Sequence, residues 1–211
     1  MKTENFSTND KIIRTALRNV LNKDMDKYRS KSGHPAEIFE EFGVRHGTAR
    51  IDIAVINGIM HGYEIKSDRD TLKRLPEQIK EFNKVFDKLT LVVGKHHLYT
   101  AINSIPDWWG LIVAKIDSTN KTYFQSIRDA DNNPSQTIIS IARLLWRHEA
   151  LQILEKQNKA NGVRSKPREV IYQRIASILE LHELKEQVKH ALLVSRGDWR
   201  AEKLLALNGD L

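Results

Sequence analysis

The feature that most constrains the fold is an unbroken series of strand, turn, strand, helix and strand signals in the first half of the chain. Residues 51–55 alternate between apolar and polar or small side chains, which is typical of a half-buried strand. Asn57-Gly58 is a strong hairpin signal, so a second strand is predicted at about 63–67. An amphipathic helix at about 72–86 and a continuous apolar run at 89–93 follow. Strand, helix and strand in this order predict a right-handed crossover and a parallel strand pair.

The other segments of the first two thirds of the chain also fit an α/β fold. Apolar residues at helical spacing predict a helix over 10–21, with Asp10 as its N-cap. Residues 36–44 are ambiguous between strand and helix, and 110–116 read as one more strand. The polar, turn-rich stretch 117–135 is interpreted as a linker.

The last third of the chain is expected to be entirely helical. Its predicted helices lie at 136–158, 167–180, 182–194 and 198–207. We therefore predict an α/β core over 1–130, a mixed sheet flanked by helices, followed by a helical extension over 131–211 that could contact nucleic acid.

Composition limits the compartment and the partners. The chain has no cysteine, which excludes disulfides and Cys-based zinc sites and suits a reducing cytoplasm. No apolar run approaches the roughly 18 residues of a membrane span, and the first ten residues lack a signal-peptide pattern. The formal net charge of +7 favours a polyanionic partner such as nucleic acid.

Three charged residues in the hairpin form a candidate catalytic site. Glu64 and Lys66 are two apart on the predicted second strand, so they project from one face, and Asp52 lies on the neighbouring strand. Carboxylate oxygens suit Mg²⁺, and Mn²⁺ is expected to substitute for it. A metal-bound water becomes hydroxide more easily, and Lys66 could offset the negative charge that develops on a phosphoryl group.

The hairpin register decides whether these side chains can meet. A two-residue turn would pair Asp52 with Tyr63 and place Asp52 and Glu64 on opposite faces of the sheet. A three-residue loop over 56–58, with a bulge, would place Asp52 opposite Gly62 and on the same face as Glu64. We therefore predict a three-residue turn or a bulge, with the charged side chains in one cleft. A solvated charged face on an edge hairpin is the alternative.

The order of these elements resembles the PD-(D/E)xK, or restriction-endonuclease-like, nuclease superfamily. The segment RIDIAVINGIMHGYEIKSDRDTLKRLPEQIKEFNKVFDKLTLVVGKHH, with the later IPDWWG and SRGDWR, is similar to a little-characterised family of small bacterial proteins of that type. The similarity covers about residues 37–200. It implies a restriction-endonuclease-like mixed sheet, a Mg²⁺ requirement, and catalytic roles for Asp52, Glu64 and Lys66.

The resemblance also implies two further site residues. Glu41 matches an upstream glutamate that would join Asp52 and Glu64 as a metal ligand, with Glu37 and Glu40 as alternatives. Gln78 resembles the catalytic-site glutamine of the Q-xxx-Y element in RecB-like nucleases, although Phe82 stands in place of the tyrosine.

The resulting expectation is a Mg²⁺-dependent nuclease that hydrolyses phosphodiester bonds, in DNA rather than RNA. A non-catalytic nucleic-acid-binding or protein-interaction module on the same fold is the alternative. An RNA-directed or structure-specific nuclease is a third possibility, and the sequence does not choose between single and double strands.

A basic segment in the helical extension is the predicted nucleic-acid contact. Residues 136–211 carry 13 Lys and Arg against 9 Asp and Glu, and residues 156–168 contain no acid. The basic residues of this segment are Lys156, Lys159, Arg164, Lys166 and Arg168. Such side chains neutralise phosphates without reading the bases, although a flexible charged loop has the same composition.

Overall fold

The computed structural model describes residues 7–195 of the chain. Its strands are β1 (Glu37–Val44), β2 (Ala49–Ile56), β3 (Met60–Lys66), β4 (Lys88–Gly94), β5 (Gly110–Ile116) and β6 (Thr122–Arg128). Its α-helices are α1 (Asp10–Ser32), α2 (Leu75–Phe82), α3 (Leu98–Ile102), α4 (Ile138–Ala142), α5 (Arg147–Lys156), α6 (Arg168–Ala176) and α7 (Leu181–His190). Short 3₁₀ turns follow β1 and β4, and a π-helical turn follows α7. The chain divides into two compact units, Met1–Gln136 and Thr137–Leu211.

The first unit contains a six-stranded mixed sheet in the order β1-β2-β3-β4-β5-β6. The β3/β4 and β4/β5 pairs are parallel, and the other three pairs are antiparallel. The predicted parallel pair across the crossover is therefore confirmed, and so is the α/β class. Because β3 has a neighbour on each side, the strand that carries Glu64 and Lys66 is internal.

Helix α1 covers one face of the sheet. Its buried side chains Ile13, Leu17, Leu21 and Met25 recur every fourth residue and join Ile53, Val55, Ile65 and Val92 in one apolar cluster. This spacing places one stripe of the helix against the sheet and leaves the other side to charged residues.

The helix differs from its prediction at both ends. It begins after Asn9, whose side chain accepts the N–H of Ile12 at 3.0 Å, so Asn9 and not Asp10 is the N-cap. It continues to Ser32 and ends at Gly33, where φ is 69°. The prediction stopped early because beyond Leu21 only isolated apolar residues mark the buried face.

Two other segments in this unit correct the sequence interpretation. The ambiguous 36–44 segment is strand β1, and the predicted linker 117–135 contains strand β6. The inward side chain of β6 is Phe124, which packs on the α1 cluster, while Gln125 and Tyr123 are exposed. An edge strand with few buried positions has a weak apolar pattern. The polar composition of this segment therefore led to its interpretation as a linker.

The helical segments of the second unit are shorter than predicted. The expected 136–158 helix is two helices, α4 and α5, while 167–180 and 182–194 contain α6 and α7. The predicted 198–207 helix lies outside the described residues. Within residues 7–195, no helix combines the length and the apolar character needed to cross a membrane.

The turn between β2 and β3 has the predicted length but a different register. Ile56 pairs with Met60 and Ile53 with Tyr63, so the loop is Asn57 to Ile59, with Gly58 at φ 94°. The pairing places Gly62 opposite Ala54, not opposite Asp52. The predicted loop 56–58 is wrong by one residue, because a local turn signal does not determine which residue closes the loop.

Gly62 is therefore a packing position and leaves no open space beside Asp52. A Cβ there would collide with Ile51 Cδ1 and come within 2.8 Å of Leu89 Cδ2, and both residues are fully buried. We expect Gly62→Ala to lower the free energy of unfolding by about 1–3 kcal/mol, because overpacking forces neighbours out of their rotamers. Urea denaturation measures the change. The exposed strand change Ser126→Ala is the control, and equal effects of the two substitutions would contradict this packing.

Candidate functional site

A polar cleft of about 780 Å³ lies beside the internal strand β3. Residues from β2, β3, α2 and the turn after β1 line it. All five side chains expected for the site are among its lining residues, namely Glu41, Asp52, Glu64, Lys66 and Gln78. The geometry thus brings the set together, while the role of each member stays a prediction.

Asp52 is held where β2 separates from β3. The recorded pairing of these strands ends at Ile53 and Tyr63. Beyond that point the backbone N–H of Ile65 donates to Asp52 Oδ2 at 2.6 Å. The side chain of Asp52 thus supplies an acceptor for the neighbouring strand, which fixes its carboxylate at the edge of the cleft.

Glu64 lies at the centre of a buried polar cluster. Lys66 Nζ and Gln78 Nε2 both donate to Glu64 Oε1, each at 2.5 Å. Glu64 is only 1% exposed and Lys66 only 7%. Burial of a charged group is costly unless it is paired, so this ion pair is what permits both residues on an internal strand. Gln78 comes from α2, and its partner is a site side chain, not a backbone group.

Two oxygen atoms in this cluster have no hydrogen-bond donor. They are Glu64 Oε2 and Gln78 Oε1, both buried. Buried acceptors without a partner are uncommon in native proteins and usually indicate a function or a bound species. Each could accept from a donor or bind a cation.

Arg14 of α1 is a member of the site that sequence reasoning missed. Its guanidinium contacts Asp10 at 3.0 Å, Glu41 at 3.0 Å and Asp52 at 2.7 Å. It also donates to the backbone carbonyl of Asp52 at 3.0 Å. Burial alone would lower the pKa of Arg14, but the carboxylates of Asp10 and Asp52 raise it above its usual value, so the side chain stays charged. The spacing of Asp10 and Arg14, four residues apart, was the available signal.

The backbone places the three candidate glutamates differently. Glu41 has a φ of 50° and reaches Arg14, whereas Glu40 pairs with Arg18 at 2.7 Å. Glu37 is exposed at the start of β1. Of the three, only Glu41 lines the cleft. Strand alternation could not show this, because a left-handed residue interrupts the regular pattern of faces.

The electrostatics of the two central carboxyls follow mainly from burial. Burial, together with the nearby Asp52 carboxyl, raises the pKa of Glu64 to about 7, against the opposing effect of Lys66 and Gln78. Burial also raises the pKa of Asp52, against the Ile65 N–H and Arg14. Two carboxyls near each other resist simultaneous ionisation, so Glu64 changes its charge near neutral pH.

Part of the donor set suits a hard divalent cation. Mg²⁺ takes a small number of oxygen ligands from the protein and keeps water for the rest. Glu64 Oε2 and Gln78 Oε1 are oxygens of that kind without another partner. Both oxygens of Asp52 are already engaged, one by Arg14 and one by Ile65. Among residues 7–195, no three His, Cys, Asp or Glu side chains are arranged to hold a metal ion. The fit is thus better at Glu64 and Gln78 than at the expected carboxylate set.

The basic segment of the second unit forms the turn between α5 and α6. Its five expected phosphate contacts are exposed: Lys156, Lys159, Arg164, Lys166 and Arg168. Arg164 also pairs with Glu155 at 3.2 Å.

Two small apolar residues anchor this segment. Ala160 and Val163 are 1% and 2% exposed, and the Lys159 N–H donates to the Leu154 carbonyl at 2.8 Å. Arg147 donates to the carbonyl of Arg164. The segment therefore has a defined backbone conformation that presents its cations to solvent, which argues against a merely flexible charged loop.

The raised pKa of Glu64 predicts how stability depends on pH. A carboxyl whose folded pKa exceeds its unfolded value stabilises the fold below the unfolded pKa, and this contribution is lost as pH rises through the folded pKa. We expect the free energy of unfolding to fall by up to about 3 kcal/mol between pH 4.5 and pH 7. Denaturant titrations across this window should show a flatter profile for Glu64→Gln. Glu37→Gln, exposed on β1, is the control, and identical profiles for all three proteins would refute the assignment.

Comparison with known proteins identifies the family of this chain. A family model described as bacteriophage P4 protein cII matches residues 7–198. Protein cII of Enterobacteria phage P4 is 46% identical over 57 residues, which is 27% of this chain and 22% of that protein. The similarity thus covers only about a fifth of the relative's length. No solved structure matches the chain.

These matches overturn the nuclease expectation. The family that they identify is that of the P4 cII protein and not the PD-(D/E)xK superfamily, so that resemblance is wrong. The expected phosphodiester hydrolase activity and the nuclease assignment are wrong with it. An Asp, a Glu-x-Lys pair and a hairpin are common features of α/β proteins, so their order did not identify the family. The non-catalytic alternative is better supported.

Proposed function

We propose that this chain, which belongs to the bacteriophage P4 cII family, is a non-catalytic nucleic-acid-binding protein. The observation that carries the proposal is the anchored segment between α5 and α6, with its five exposed cations and no acid from Lys156 to Arg168. The net charge of +7 supports the same partner. DNA is the proposed nucleic acid, and the proposed location is the cytoplasm.

The proposed binding mode is contact with the phosphate backbone. Lys and Arg side chains displace condensed counterions when they neutralise phosphates, and this term is independent of base sequence. A backbone held by Ala160 and Val163 keeps the cations in place before binding, which lowers the conformational entropy that binding removes. This favours the segment over isolated surface lysines.

The polar cleft is proposed to have a supporting role. Its lining residues include seven Asp and Glu against five Lys and Arg, so its charge alone does not attract phosphate. We propose that Glu64 and Gln78 would hold one Mg²⁺ or Mn²⁺ ion through their unpartnered oxygens. Such an ion supplies positive charge in a cleft where the chain's own carboxylates predominate. Asp52 and Glu41 would remain bound to Arg14.

The finer fold assignment is also a proposal. A β2/β3 hairpin that leads through α2 to the parallel strand β4 supports a restriction-endonuclease-like arrangement of the mixed sheet. A fold of this kind does not require an active nuclease, since function depends on the site that a fold carries. An experimental structure, compared with restriction endonucleases by superposition, would test it.

Neutralising the basic segment tests the binding mode. The triple variant Lys156→Gln, Lys159→Gln and Lys166→Gln should weaken binding to all DNA sequences alike. It should also flatten the slope of log affinity against log salt by about one unit per lost contact. Fluorescence anisotropy at several salt concentrations gives both quantities.

A matched control removes the same charge from the other unit. The triple variant Lys23→Gln, Lys31→Gln and Lys121→Gln changes exposed lysines and lowers the net charge equally. If both triples lose the same affinity and the same slope, net charge and not the anchored segment drives binding.

The absence of hydrolysis is a second test. Incubation of the purified chain with plasmid and single-stranded DNA in Mg²⁺ or Mn²⁺ should give a mobility shift and intact DNA. Digestion of the protein with protease before electrophoresis removes the bound chain. DNA that was only retarded by binding then returns to its original mobility, whereas cleaved DNA does not. Products that disappear with EDTA and with Lys66→Ala would show a nuclease after all.

A further inference from the structure

We propose that the outer edge of strand β6 pairs with β6 of a second copy of this chain, so that two sheets join edge to edge in a dimer. The strand runs from Thr122 to Arg128 and is the last in the sheet order. Among residues 7–195, no strand pairs with its outer side. An unpaired edge presents a row of backbone N–H and C=O groups that another strand can bind. The dimer does not depend on the proposed nucleic-acid function.

The outer edge of β6 is accessible and regular over most of its length. The pairing of β6 with β5 is continuous from Thr122 to Ser126, and the register becomes irregular only beyond Ser126. Tyr123 is 46% exposed, and Gln125 and Ser126 are exposed as well. A regular stretch of this kind provides the alternating hydrogen-bonding groups that an antiparallel partner requires.

The two edges of the sheet differ in how they exclude another strand. Natural edge strands avoid pairing by means of charged side chains, bulges and irregular backbone. At the opposite edge, β1 carries Glu37, Glu40 and Glu41. Glu41 has a φ of 50° and is the β1 residue that the pairing with β2 skips. By contrast, β6 has no charged residue from Thr122 to Ile127. The sheet is therefore protected against self-association at β1 and open to it at β6.

The sequence of β6 is complementary to itself in the antiparallel direction. A two-fold axis at Phe124 would place this residue beside its own counterpart, Thr122 opposite Ser126, and Tyr123 opposite Gln125. Aromatic pairs and hydrogen-bonded pairs of Thr and Ser stabilise antiparallel strands. The paired stretch opposes no like charges, which matters in a chain whose net charge is +7. These pairings favour a second copy of the chain over a strand of unrelated sequence.

An apolar groove beside β6 supplies further surface for a partner. It has a volume of about 500 Å³ and is lined by α1 and by residues at the start of β6. Ile12 and Val20 of α1 line this groove and are 38% and 45% exposed. Because Thr122 also lines it, a strand added to β6 would bring side chains close to Ile12 and Val20. The dimer would then bury apolar surface in addition to the strand pairing, as a stable interface requires.

The first test is the mass of the full chain in solution, measured by sedimentation equilibrium at micromolar concentrations. We expect wild type to be a dimer, with twice the mass of 24.4 kDa of one chain. Tyr123→Glu should weaken the dimer by about tenfold or more, because two carboxylates would lie diagonally across the paired edges. Within one chain the new carboxylate lies beside Lys115 of β5, so the fold should tolerate it. Tyr99→Glu is the matched control, since Tyr99 is 83% exposed on α3, and this variant should remain a dimer.

Introduced cysteines locate the interface. The chain has no cysteine of its own, so a disulfide forms only between introduced residues. The double variant Tyr123→Cys and Gln125→Cys should give a covalent dimer on mild oxidation, because opposed residues of an antiparallel pair come close enough for a disulfide. The double variant Lys23→Cys and Lys27→Cys, with both positions exposed on α1, controls for chance encounters. It should remain a single chain in denaturing electrophoresis without reductant.

Each contrary result overturns the proposal. A wild type that stays monomeric at every concentration refutes the dimer. A dimer that is as tight in Tyr123→Glu as in Tyr99→Glu forms through another surface, and so does one whose cysteines at 123 and 125 cross-link no faster than the control pair. If Tyr123→Glu does not fold, Ser126→Lys replaces it, since Ser126 is exposed at the same edge. A weaker dimer in that variant supports the pairing through β6, and an unchanged dimer refutes it.

Discussion

The buried pair of Glu64 and Lys66 on an internal strand is the constraint on which the site depends. Two charges at the centre of a sheet are tolerated only when each is paired and hydrogen-bonded. Lys66 and Gln78 share one oxygen of Glu64, and this arrangement ties β3 to α2. The other oxygen is left without a donor. The same burial raises the pKa of Glu64 to about 7, so the stability of the fold and the charge of the cleft change over one pH range.

Arg14 makes the second connection, between α1 and the sheet. The apolar stripe of the helix packs against the sheet. The contacts of Arg14 with Asp52 and Glu41 join the helix to β2 and β1, while its contact with Asp10 stays within the helix. Their electrostatic consequence is a cleft in which much of the carboxylate charge is already neutralised by the chain.

The second unit presents its charge in a different way. At the cleft, Lys66 is buried and paired with Glu64, whereas the segment from Lys156 to Arg168 exposes its cations and buries Ala160 and Val163. Exposed charges keep their hydration until a polyanion replaces it, so they supply affinity that depends on salt. The two sites therefore require separate experiments.

Local patterns in the sequence determined the hairpin, the crossover, the apolar face of α1 and the closeness of Asp52, Glu64 and Lys66, because side-chain alternation and turn chemistry act over a few residues. The tertiary structure decided what depends on distant partners. It moved the hairpin loop by one residue, so that Gly62 lies opposite Ala54 and packs against Ile51 and Leu89. It also added β6 as an edge strand, selected Glu41 through a left-handed backbone, and brought Arg14 to Asp52 across 38 positions of sequence. No local pattern encodes such pairings, since each results from long-range packing of the helix and the sheet.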